Sequence, residues 1–333
     1  MSNNLEIIRA EDLFFNPSPP DGRESIVEDM IPQGLTLLSG DPKSCKSWMM
    51  LDLCFAVTSG DLFLGKPTKQ CSVAYFALED SPKRLQDRMF LLKKEPTQGL
   101  YFVTRCRGLN EGLLEDFDEI LETDPDVRLI IIDTLQRIRG IDMAPTNASQ
   151  YSKDDDVLSK LKAYADDHNI AILVVHHNRK LKDKENPLNE VLGSTAMSGV
   201  PDMILKLNKD RTRIDGELLS VGRDSPQWKM ILRFENYQWH VMDTISEEQL
   251  AKESIPEILY TIATFIKGMG VWEGTMTQLM EAVGEKNMSS SALSSYINKY
   301  YYTVFFPEGI RKTYRKTATE RIHIFKCIKE IDE

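Results

Sequence analysis

Cysteine is scarce and scattered. The five cysteines stand at 45, 54, 71, 106 and 327 with no Cys-x-x-Cys pair. That spacing argues against a zinc ribbon or a disulfide framework and fits a reducing cytoplasm. Long apolar runs are lacking too. "LIIID" and "IAILVV" are strand-sized, and nothing approaches the ~20 residues that a membrane helix needs. The opening "MSNNLEIIRAEDLFF" has no basic start followed by an apolar stretch, so no signal peptide is expected. Internal repeats and low-complexity tracts are absent. Positive charge is in deficit: 41 Lys and Arg face 51 Asp and Glu, a net charge of -10. Any nucleic-acid contact must therefore be local.

What is present suffices for a large core and a smaller second domain, with 333 residues of which 41% are hydrophobic. From residue 35 to about 240, strand-like runs alternate with helical stretches: "LTLLS", "SVAYFAL", "YFVT", "RLIIID" and "AILVV" are the strands. Ser81 is placed to cap one helix, with Pro82 at its first position. Such alternation predicts an α/β fold with a mainly parallel sheet covered by helices on both faces. After residue 202, "MILKLNKD", "GELLSVGRD" and "KMILRFENYQWHVM" read as consecutive antiparallel strands at the sheet edge. The expected organisation is a large α/β domain over 1–243, a polar linker over 244–255, and a small domain over 256–333 with three helices and a hairpin. Ser289 would cap the third of those helices.

"SGDPKSCKSW" raises the central question. It follows a strand, precedes a helix, and fits the phosphate-loop pattern G-x-x-x-x-G-K-S except that Cys45 replaces the second glycine. In that context backbone N–H groups cradle phosphate at a helix N-terminus. The candidate nucleotide-binding segment runs from Gly40 through Asp41, Pro42, Lys43, Ser44, Cys45, Lys46 and Ser47 to Trp48. Lys46 would reach the β- and γ-phosphates of ATP, and Ser47 would ligate Mg2+. Cysteine is among the smallest replacements for glycine, so a modest cost is expected rather than a dead loop. Asp133 ends the strand "RLIIID", placed to hold the metal through water or simply to cap the next turn. Glu79 ends "YFALE" at the edge where open α/β sheets bind ligands. It is the candidate for orienting the attacking water, with Asp80 as competitor and helix capping as the plain alternative. His176 and His177 end another strand, as a γ-phosphate sensor or as ordinary turn residues.

"GDPKSCKS", "ALEDS", "LIIIDT", "VVHHNRK", "LGSTAMSGVPDMIL" and "VGRD" occur in this order over roughly residues 25–240. In this the chain resembles RecA-like P-loop ATPases of the plasmid RepA type, relatives of the DnaB-like hexameric replicative helicases. The resemblance implies Lys46 and Ser47 on phosphate and Mg2+, Asp133 as the second acid, Glu79 as catalytic carboxylate and His177 as sensor. It also implies a basic finger from a neighbouring subunit, for which Arg223 is the candidate and a local pair with Asp224 the alternative. Some relatives carry the finger where this chain has Asp202 and no arginine. Two polar loops, 137–156 and 178–193, would face a ring channel and hold single-stranded DNA. Arg179, Lys180, Lys182 and Lys184 would supply phosphate contacts there, or belong to a solvated loop balanced by Asp183 and Glu185.

Between Lys286 and Lys329 stand nine basic residues and two acids, a local reversal of the overall charge. Three helices and a basic hairpin resemble a winged-helix module, with "SSALSSYINKYY" entering the major groove and Lys312, Arg315 and Lys316 on backbone phosphate. Docking of a protein partner is the alternative. The expected function is an ATP-hydrolysing, ring-forming DNA motor, a homohexameric replicative helicase of a plasmid, phage or mobile element. An ATP-dependent replication regulator or loader without unwinding is the second reading, and a scaffold with a decayed loop the third.

Overall fold

The computed structural model describes residues 25–95, 97–139, 150–177, 199–317 and 320–328. The chain divides between Glu247 and Glu248 into two units.

In the first unit, β1 (Ser25–Val27) and β2 (Ile31–Pro32) form a small antiparallel ribbon. The elements β3 (Gly34–Gly40), α1 (Lys46–Ser59), β4 (Ser72–Ala77), α2 (Pro82–Leu92), β5 (Leu100–Val103) and α3 (Leu113–Thr123) follow. Next come β6 (Val127–Asp133), α4 (Leu135–Ile138), α5 (Gln150–His168), β7 (Ala171–His177) and β8 (Met203–Asn208). A meander of β9 (Asp215–Gly222), β10 (Trp228–Glu235) and β11 (Gln238–Ser246) completes the unit. The sheet runs β11-β10-β9-β8-β3-β7-β6-β4-β5. Its strands from β8 to β5 are parallel, and β9, β10 and β11 add on antiparallel.

The aliphatic runs are continuous because the central strands are covered on both faces. Successive residues serve opposite faces. Tyr75, Ile131, Leu173 and Val175 join one core with Met49, Leu53 and Leu85 of α1 and α2. Phe76, Ile130, Ile172 and Val174 join the other with Phe117, Leu161 and Ala165 of α3 and α5. Burial along most of α1 explains why its sequence is apolar nearly all round. The Ser81 hydroxyl accepts from Arg84 N–H at 3.3 Å, and Pro82 occupies the first turn. The α/β, mainly parallel architecture and its antiparallel edge are as the sequence predicts.

The 244–255 stretch differs from a plain linker. Strand β11 stays paired with β10 as far as Ser246, and α6 (Glu247–Glu253) follows at once. Polarity there marks an exposed strand end and helix rather than irregular chain.

The second unit continues with α7 (Glu257–Met269), β12 (Val271–Gly274), α8 (Met276–Val283), α9 (Ser290–Lys299), β13 (Ile310–Lys316) and β14 (Arg321–Cys327). Its antiparallel sheet has the order β12-β14-β13. Leu259, Ile262 and Ile266, one stripe of α7, meet Leu279, Leu293, Ile297, Phe305 and Phe325 in a core of its own. Ser289 accepts from Ala292 N–H at 3.2 Å, and Thr275 with Gln278 forms a capping box. Among the described residues no helix is long and apolar enough to cross a membrane.

Candidate nucleotide site

The loop after β3 sets the site. Cys45 has φ 66° and ψ 25°, the left-handed conformation, immediately before the helix. This is why the pattern prefers glycine there: a Cβ in that region costs roughly 1–2 kcal/mol. Close approach to phosphate is the reason the sequence suggests; backbone conformation is the one the structure displays. Gly40 is constrained differently, since a Cβ on it would lie 2.7 Å from the Leu207 carbonyl oxygen. No side chain caps the start of α1, so its first-turn N–H groups face the loop. Indole Nε1 of Trp239 donates to the Cys45 carbonyl at 3.4 Å. Burial raises the Cys45 thiol, against the pull of Lys209 and Lys46.

Lys46 is 4% exposed. Its Nζ donates to the carbonyls of Gly40 at 2.9 Å and Asp41 at 2.8 Å, and to Ser44 Oγ at 3.3 Å. Burial pushes the ammonium down to about 8, opposed by Asp133, Asp41 and Glu79. Ser47 Oγ donates to Asp133 Oδ2 at 2.7 Å. Tyr75 OH donates to the same oxygen at 3.1 Å. Burial raises the Asp133 carboxyl above its ordinary range, the two hydroxyls act against that, and Glu79 and Asp80 add to it. Tyr75 is a member of the site that the sequence reading missed. The available signal was a tyrosine inside an otherwise aliphatic strand, whose buried hydroxyl needs a partner.

The structure separates the two adjacent acids. Asp80, with a side chain 6% exposed, is held by Arg84 at 3.2 Å and Arg88 at 2.5 Å. Glu79 is 43% exposed, with Thr134 Oγ1 at 3.4 Å and Arg137 Nε at 3.6 Å. His177 lies beside Gly40 in the β3–β7 register, whereas His176 pairs with Ser39 and has partners of its own. The His177 Nδ1 is buried without a hydrogen-bond partner. Burial and Lys46 depress this imidazole, while Glu79 and Asp133 pull the other way. Trp48 stacks on Tyr237 at 4.7 Å between ring centroids, and Arg88 lies 5.3 Å from the Trp48 ring.

Arg223 is elsewhere. It follows Gly222, which pairs with Met203 at the start of β8, whereas the phosphate loop meets β8 near its end at Leu207. Its guanidinium donates to the carbonyls of Gly199 and Val200. The structure therefore keeps it out of its own chain's phosphate site. Asp202 accepts from Leu35 N–H at 2.9 Å and pairs with Lys162 at 2.9 Å, a buried clasp within the sheet. Lys209, Arg211 and Arg213 follow β8 on the phosphate-loop edge, a basic hairpin that the sequence reading passed over. Arg179, Lys180, Lys182 and Lys184 lie outside the described residues. On the hairpin of the second unit, Lys312 and Lys316 share one strand face. Arg315 is on the other face and bridges Glu273.

These residues fit ATP with Mg2+. No side chain caps the start of α1 behind the loop, and His177 Nδ1 is an orphaned polar atom beside Gly40. Among the described residues no three-ligand protein cage for a metal exists. Mg2+ needs only one or two protein ligands when phosphates complete its shell, so Ser47 with Asp133, through water, would be a sufficient set.

The AAA domain profile matches residues 4–183. A solved structure titled "ATPase Domain of G40P" is similar in fold, with TM-score 0.51 and 13% identity over 63% of this chain and 85% of that one. A KaiC-like protein, PH0186 of Pyrococcus horikoshii OT3, aligns with TM-score 0.45 and 14% identity over 66% of this chain and 94% of its own. No curated protein matches the sequence.

Proposed function

This chain belongs to the AAA domain family, with a RecA-like P-loop ATPase core, and from that premise we propose a ring-forming motor that hydrolyses ATP on DNA, a replicative helicase of a plasmid, phage or mobile element. The observation that carries it is the convergence of Lys46, Ser47, Asp133, Glu79 and His177 on one sheet edge. Magnesium, when bound with ATP, supplies charge neutralisation at the phosphoryl oxygens. Lys46 and the first-turn N–H groups of α1 hold phosphate charge. Ser47 and Asp133 would hold the metal, Asp133 through water, with Tyr75 fixing the carboxylate. Glu79 accepts the proton of the attacking water, and Thr134 and Arg137 orient it. His177 Nδ1 is free to form a hydrogen bond as nucleotide state changes.

The motor reading is supported by the ordered motif set and by the fold likeness. A ring brings a basic group from a neighbouring subunit; Arg223, away from its own phosphate loop, and the hairpin of Lys209, Arg211 and Arg213 are the candidates. The helix and strand order of the second unit supports a winged-helix reading, and its basic excess supports DNA contact.

The test is ATP turnover, strand displacement and particle mass with and without single-stranded DNA. DNA-stimulated turnover, displacement and a hexameric mass are expected. Glu79→Gln should bind ATP normally and lose about 10²–10⁴-fold in turnover. Turnover without displacement would replace the helicase with a loader or regulator. A Glu79→Gln variant that hydrolyses normally would remove Glu79 from the chemistry.

A further inference from the structure

A cavity of about 380 Å³ lies between α9 and the β13–β14 hairpin. Ser294 and Asn298 line it from the helix, and Lys312, Tyr314, Arg321 and His323 from the hairpin. The strand pleat builds it. Lys312 pairs with Phe325, Tyr314 with His323 and Lys316 with Arg321, so these side chains share one face by the two-residue period. Phe325 anchors that face in the core. The polar residues beyond it are drawn toward α9.

A lysine, an arginine and a histidine therefore meet, and among the described residues no carboxylate lines the cavity. Of the acids near this sheet, Glu273 pairs with Arg315 and Glu308 with Lys267, and Glu320 in the hairpin turn is not among the cavity's lining residues. Lys312 donates to Asn298 Oδ1, and Arg321 lies 4.7 Å from the Tyr314 ring centroid. His323 is 5% exposed and its Nδ1 has no hydrogen-bond partner. Burial, then Lys312 and Arg321, depresses the imidazole. Burial and Arg321 do the same to the Lys312 ammonium. A buried polar atom without a partner is costly, and like charges without a counter-charge oppose one another. A bound oxyanion relieves both.

We propose that this cavity is a phosphate-binding site, in which Lys312 and Arg321 pair with phosphate oxygens and His323, Ser294 and Asn298 complete the donor set. Arginine suits this role because its planar fork matches two phosphate oxygens. The phosphate is borne by a nucleic-acid strand or by a free nucleotide. For the strand, the proposal rests on the DNA-binding reading of this unit.

The test is magnetic resonance of the full chain with labelled histidine, whose five ring signals include His323, assigned through His323→Gln. Inorganic phosphate, AMP and a short duplex are titrated separately. Each ligand class that binds here should move the His323 signal. Lys312→Met and Arg321→Gln should weaken the phosphate response about tenfold each. Lys326→Gln, on the opposite strand face, should leave it unchanged. A duplex acting at lower concentration than phosphate and AMP identifies a nucleic-acid site. A response led by AMP supports the site and assigns it to a free nucleotide, against DNA in this cavity. If duplex binds and His323 stays still under all three titrations, the proposal is overturned while DNA binding by the unit survives. An equal response in the Lys312→Met and Arg321→Gln variants overturns it too. Should Lys312→Met disturb the hairpin, the exposed Arg321→Gln decides alone.

Discussion

The two units surround a buried basic group in opposite ways. In the first, Lys46 is enclosed, yet loop carbonyls accept from it and Asp133, Asp41 and Glu79 counter its charge. In the second, Lys312 and Arg321 surround a buried histidine with no acid among the described residues of the cavity wall. The difference separates two ligand chemistries. A site that binds an anion together with a divalent cation needs both signs within reach, and a carboxylate kept ionised for the metal is part of it. A site without a carboxylate suits an anion alone. Charge balance, rather than the mere presence of lysine, distinguishes a metal–nucleotide site from a phosphate pocket.

The strongest way to break the comparison is to remove one sign from the first site. Lys46→Ala should cut ATP turnover by at least about 10²-fold, the loss expected when a donor to developing charge is removed. Asp133→Asn should abolish magnesium-dependent turnover as well, but with a second signature. The folded Asp133 carboxyl is raised above its unfolded value. Its contribution therefore favours the fold below the ordinary carboxylate range and is lost as pH rises through the raised value. At neutral pH the ionised group weighs against the free fold. Asp133→Asn should raise Tm. A lower Tm would make Asp133 a structural anchor for Ser47 and Tyr75 rather than a strained ligand.

A smaller effect sharpens the same point through protons. Lys46 sits at about 8 in the free protein, so at pH 8 about half of the molecules carry it neutral. Triphosphate beside the ammonium restores its charge, and binding should take up protons at pH 8 but not at pH 6. Calorimetry in buffers of different ionisation enthalpy measures the uptake. Equal uptake at the two pH values would mean that the carbonyls and acids around Lys46 already hold it fully charged.

Local and periodic signals carry most of what was legible beforehand. Strand–helix alternation predicts the parallel sheet, and Ser81 and Ser289 cap helices through contacts three residues away. The pairing of Ser47 with Asp133 is foreshadowed by motif spacing although 86 residues intervene. Contacts without a motif were not legible. Tyr75 reaches Asp133 across 58 residues, and Trp239 reaches the Cys45 carbonyl across 194. The choice between Glu79 and Asp80 depended on where α2 turns Arg84 and Arg88. Arg223 lies at the far end of the sheet from its own phosphate loop because a meander reverses direction, a placement that sequence order alone does not give. His323 shows no signal in a string of alternating residues until strand pairing sets it between Lys312 and Arg321.

The smallest expected effect concerns Cys45. Its left-handed backbone costs roughly 1–2 kcal/mol relative to glycine. Two terms oppose relief by Cys45→Gly. The thiol packs against the core beside α1, and glycine loses more freedom on folding, by roughly 0.5–1 kcal/mol. The terms nearly cancel, so Cys45→Gly should move Tm by no more than about 2 °C and leave turnover equal or higher. Cys45→Val provides the contrast. A β-branched side chain at φ 66° is a genuine outlier, so valine should destabilise the unit and slow turnover although it is similarly apolar. Thermal unfolding and turnover of both variants decide the matter. If valine is tolerated as well as glycine, backbone conformation is not what makes this loop position selective. If glycine itself causes a large loss of turnover, the thiol has a part in the site beyond filling space.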